Sequence, residues 1–65
     1  MKSVNLHKYL HKQNCHLIRE GGNHTVYQNQ VNKKISSVPR HKEIKKNLVR
    51  KICKDLEIAA PESFQ

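Results

Sequence analysis

Ile44, Leu48, Ile52 and Leu56 recur at every fourth position toward the C-terminus, with Val49 and Cys53 beside them. Apolar residues at that spacing share one face of an α-helix, and a stripe this wide must be covered by another element. The pattern predicts a long amphipathic helix over 41–58, stopped by Ala59-Ala60-Pro61. Its opposite face carries Lys42, Lys45, Lys46, Arg50, Lys51 and Lys54. A chain of 65 residues has room for one domain, so the cover must come from residues 1–40. That domain spans 1–65, with 58–65 as its tail. At this size only about 60% of the unfolded surface is buried, so the core is thin.

The preceding residues supply the cover. Leu6, Tyr9 and Leu10 stand at i, i+3 and i+4, which predicts a short helix from Ser3 to Asn14. Ser3 suits its N-cap and Asn14 a left-handed C-terminal position. Cys15 to Arg19 reads as a strand closed by Glu20-Gly21-Gly22. Two adjacent glycines between apolar runs signal a hairpin, since both can take φ > 0. Asn23 to Gln28 then reads as a second strand, 29–32 as a polar turn, and Lys33 to Val38 as a third strand. Ile35 and Val38 have opposite parity, which predicts a bulge or an early end there. Pro39 holds Val38 extended and ends the strand.

The order is therefore α-β-β-β-α. Short hairpin connections make the three-stranded sheet antiparallel, and two helices cover one face, giving a two-layer α+β sandwich. Double-stranded RNA-binding domains use this same order.

Charge narrows the function. Thirteen Lys and Arg against five Asp and Glu give +8 with histidine neutral. Such an excess in a small domain points to a polyanion, first of all nucleic acid. No apolar run approaches the roughly 18 residues of a transmembrane helix. MKSVNLHKYL lacks the apolar core, about 7–15 residues, of a secretory signal. The two cysteines, Cys15 and Cys53, are far apart in sequence and fall on apolar positions, so they read as core thiols. These features predict a cytoplasmic protein with no membrane partner, no metal and no cofactor.

Of the five histidines, His24 has the most suggestive setting. It follows the double glycine at the mouth of the hairpin, where another backbone can approach closely. Histidine accepts and donates a proton near neutral pH without a large pKa shift. RNA cleavage by 2′-hydroxyl attack needs two such transfers and stabilisation of phosphate charge. His7 and His11, four apart on the first helix, have no third ligand nearby and read as a solvated face. His16 has no evident partner. His41, beside Arg40, is a candidate for phosphate contact or for pairing with His24. Arg40, Lys42, Lys45 and Lys46 crowd the start of the long helix, where the dipole disfavours cations. Lysines around a helix N-terminus suit a phosphate, toward which backbone N–H groups also point. Tyr27 is expected to bury its ring.

Gly-Gly-Asn-His-Thr-Val-Tyr at 21–27, followed by Ser37-Val38-Pro39-Arg40-His41 and a Lys-rich helix, resembles the HicA toxins of bacterial and archaeal toxin–antitoxin pairs. The likeness runs from Asn5 to about Ile58. It implies a double-stranded-RNA-binding-like fold and a ribosome-independent mRNA interferase that arrests translation. The family's catalytic histidine, in a pattern like Gly-Ser-His, falls on His24. Its partner is the HicB antitoxin, which covers the active surface and would mask His24. Asn23 stands where the family usually has Ser, and Lys46-Asn47-Leu48 replaces a frequent Lys-Gly-Thr-Leu.

The resulting expectation is a metal-independent endoribonuclease that cleaves mRNA with His24 as acid or base. Gly22, Asn23, Arg40, His41, Lys42, Lys45 and Lys46 would contact the RNA. His41, Tyr27 and water are the candidates for the second proton transfer. The alternative is a non-catalytic RNA-binding module that uses the same basic surface.

Overall fold

Residues 3–12 form the first helix because Leu6 and Leu10 bury one side of it, and they are the helix residues with no exposed surface. The computed structural model describes residues 1–62. Its elements are α1 (Ser3–Lys12), β1 (Cys15–Glu20), β2 (His24–Asn29), β3 (Ile35–Pro39) and α2 (Lys46–Asp55). The strands lie in the order β1-β2-β3, antiparallel throughout. One face of the sheet is covered, by α1 over β1 and α2 over β3. This is the two-layer α+β sandwich expected from the element order.

The core lies between the layers. It contains Leu6, Leu10, Cys15, Tyr27, Val38, Ile44, Val49, Ile52, Cys53 and Leu56. Strand alternation sends Thr25, Tyr27 and Asn29 of β2 inward and leaves His24, Val26 and Gln28 on the open face. Both cysteines are buried thiols, as expected, and burial pushes Cys53 up to about 11.

The second helix is much shorter than 41–58. Residues 42–44 are not helical and pair with the N-terminus instead. Ser3 N–H donates to the Lys42 carbonyl at 2.8 Å, and Ile44 N–H to the Met1 carbonyl at 2.8 Å. Lys2 and Glu43 form a bridge, and the terminal ammonium reaches Glu43 Oε1 at 3.0 Å. These partners satisfy backbone groups that a helix starting at His41 would leave bare. Ile44 is buried all the same, so the apolar stripe marks the core correctly while overstating the helix. At the other end Leu56 is the C-cap and Glu57 takes φ 56°. Ile58 N–H bonds the Cys53 carbonyl and Glu57 N–H the Lys54 carbonyl, a Schellman arrangement. Ile58 then packs on the core, which ends the helix before Ala59.

Other local expectations are corrected on the same grounds. The N-cap of α1 is Lys2 rather than Ser3, because the pairing of 1–3 with 42–44 brings the chain into the helix one residue early. Asn14 does take the left-handed position, at φ 65°. Neither glycine has positive φ. The β1–β2 turn is held by the Gly21 N–H to His24 carbonyl bond at 2.7 Å and by Arg40 N–H to the Asn23 carbonyl at 3.0 Å. The bulge falls in β1, between Leu17 and Arg19, and β3 has none. Ile35 simply faces outward, 55% exposed, while Val38 faces the core.

Candidate active site

His24 opens β2 and is exposed at the end of the sheet. Its cross-strand neighbour is Pro39, so Arg40 emerges beside it. Arg40 Nη1 donates to the Gly21 carbonyl at 3.2 Å, while its backbone N–H holds Asn23. The hairpin tip therefore gathers Gly22, Asn23, His24 and Arg40. An added Cβ on Gly22 would meet no atom within 4 Å, whereas on Gly21 it would lie 3.2 Å from the His24 carbonyl. The open position is the one a bulky polyanion can approach.

The remaining cations divide into two places. Lys45 is the N-cap of α2 and Lys46 its first residue, with no acidic side chain in the first turn. Those two oppose the helix dipole as expected. Arg40 and Lys42 do not, because they lie before the helix, which starts at Lys46. Arg40, His41 and Lys42 instead line a cleft of about 410 Å³ between α1 and the sheet. Its other walls are Ser3, His7 and His11 of α1, Leu17 and Glu20 of β1, and Thr25 and Tyr27 of β2.

His24 does not line this cleft. It has the strand parity of the open face, whereas Thr25 and Tyr27 form the floor of the cleft. Tyr27 and His41, both candidates for the second proton transfer, thus belong to the opposite side of the sheet from His24.

The cleft contains what sequence reasoning missed. His7 is half-buried rather than solvated, and Tyr27 Oη lies 2.9 Å from its Nδ1. Burial, with help from His11, lowers the His7 pKa, and burial, with help from Glu20, raises that of Tyr27. Both groups are therefore neutral near pH 7, and one hydrogen bond joins the phenol to the imidazole. His11 stands edge-on to Tyr27 at 6.1 Å and to His16 at 5.2 Å, so His16 has a ring partner after all. The signal was present in the i, i+4, i+8 spacing of Ser3, His7 and His11, one line along α1. Among the described residues no group of three or more His, Cys, Asp or Glu side chains is placed to hold a metal ion. Nor is any described helix long and apolar enough to cross a membrane.

A small basic α+β domain with a histidine exposed at its sheet end, and Arg40 bonded to the turn that precedes it, suits work on a polyanion. The family model described as "HicA toxin of bacterial toxin-antitoxin" matches residues 5–58. The chain belongs to that family and is the toxin member of such a pair. No curated protein and no solved structure matched the chain.

Proposed function

We propose that this toxin is a metal-independent endoribonuclease that cleaves mRNA, with His24 as the acid–base group. The observation that carries the reading is the exposed His24 beside Arg40 at the hairpin tip, in a chain of the HicA toxin family. A phosphodiester bound at the hairpin tip would meet the exposed His24 imidazole there. His24 takes the proton from a ribose 2′-hydroxyl, or returns one to the leaving oxygen. With Tyr27 bonded to His7 and His41 in the cleft, water is the remaining candidate for the other transfer. The five carboxylates, Glu20, Glu43, Asp55, Glu57 and Glu62, are scattered along the chain, and two-metal phosphoryl chemistry needs several at one place. An acidic antitoxin of HicB type would silence the toxin by covering His24 and the neighbouring cations. Induction in a host tests the reading: intact toxin arrests growth and depletes mRNA, and His24→Ala does neither. Arrest by both forms would reject it.

Lys45 and Lys46 are proposed to hold phosphates at the start of α2. Each phosphate contact contributes about 0.7 to the slope of log K against log salt for single strands. Reversing both to Glu is expected to weaken binding of all RNA sequences and to lower that slope. Helicity measured by circular dichroism stays unchanged, because both are exposed and Glu is favourable near a helix N-terminus. Unchanged affinity and slope would assign these lysines to a solvated face.

A further inference from the structure

The cleft between α1 and the sheet is separate from His24, and its walls are chemically divided. On the side of β3 it has Arg40, His41 and Lys42; on the side of β1 it has Leu17 and Glu20, with His11 of α1. Ser3 N–H is bonded to the Lys42 carbonyl, so the Ser3 end of the α1 line lies at the cationic side. The line from Ser3 to His11 spans eight residues, about 12 Å at helical rise. The volume of about 410 Å³ falls within the usual range for small-ligand sites.

We propose that this cleft binds one nucleotide of a single RNA strand, its phosphate on Arg40, His41 and Lys42 and its base against His11 and Leu17. The inference rests on the ribonuclease reading for the identity of the polymer. The chemistry matches part by part. A guanidinium carries five N–H donors, so Arg40 can hold Gly21 with one and a phosphate with others. Leu17 is 40% exposed and offers a flat-lying base an apolar contact, as the His11 ring does. Glu20, the one carboxylate of the lining, directly precedes the Gly21 that Arg40 bonds, so it offsets part of the cationic charge at that end and leaves the base to His11 and Leu17. The Tyr27–His7 pair, joined by a hydrogen bond at 2.9 Å, gives the floor a polar edge of one phenol and one imidazole. Arg40 joins the two sites, because it lines the cleft and also bonds the turn that carries His24. A strand seated in the cleft passes over Arg40 toward the scissile position.

Titration of cytidine 3′-monophosphate into the toxin, followed by NMR of the histidine rings, tests this. Saturable shifts are expected at His7, His11 and His41, with the same Kd in His24→Ala. Inorganic phosphate alone should shift His41 and leave His11 unmoved. Lys42→Ala should weaken the nucleotide roughly ten- to hundredfold, the loss of a charge-assisted hydrogen bond. Its backbone contact to Ser3 is retained, so the fold is expected to hold. Shifts confined to His24, or a Kd unaffected by Lys42→Ala, would overturn the assignment. A toxin that cleaves RNA with a silent cleft refutes the cleft alone. A cleft that binds in a toxin without nuclease activity refutes the nuclease alone.

Discussion

RNA cleavage by His24→Ala is expected to fall about 10²–10⁴-fold below that of the intact toxin, the usual contribution of a general acid–base group. Binding and fold are expected to persist. The side chain is exposed, and what His24 gives the structure comes from its backbone, through the carbonyl bond to Gly21 and the pairing with Pro39. Alanine keeps both. The comparison therefore needs three readings on one sample: cleavage rate, RNA affinity at fixed salt, and circular dichroism. A wild-type rate would remove His24 from the reaction and direct the search to His41. Lost affinity with lost cleavage would make the residue a binding group instead.

The second large effect concerns the core. Leu10→Ala should cost about 2–5 kcal/mol, because the deleted atoms leave a cavity that a packed interior closes only partly. Leu10 has no exposed surface, and with Leu6 it is what buries α1. A domain of this size seldom has more than about 3–5 kcal/mol of stability in total. The variant is thus expected to be largely unfolded or to melt at least about 10 °C lower. Thermal unfolding by circular dichroism measures it. A melting temperature within about 2 °C of the original would mean that α1 is held by its ends, through residues 1–3 and 42–44, rather than by its apolar side.

Much of this architecture could be read from local patterning. The i, i+3, i+4 spacing located α1, Asn14 marked its left-handed end, and the residues at 23–28 marked β2. What escaped depended on contacts distant in sequence. Nothing in His41-Lys42-Glu43-Ile44 shows that Met1 to Ser3 will pair with it, and the pairing replaces the expected first turns of the second helix. The parity of Ile35 misled because an exposed isoleucine looks like a core residue until its neighbours are known. The double glycine signalled the turn but not its conformation, which Arg40 fixes from beyond β3. For the candidate site, His24 and Arg40 were both singled out. The cleft was not, because His7 and His11 acquire their meaning only from Tyr27, brought to them by the sheet.

Digestion of naked RNA by purified toxin, in EDTA and without ribosomes, addresses the nuclease claim most directly. Intact toxin is expected to cut at an undiminished rate and to leave a 2′,3′-cyclic phosphate or the 3′-phosphate derived from it, while His24→Ala leaves the RNA whole. Cleavage that disappears in EDTA and returns with magnesium, or that proceeds equally in both proteins, would contradict the account.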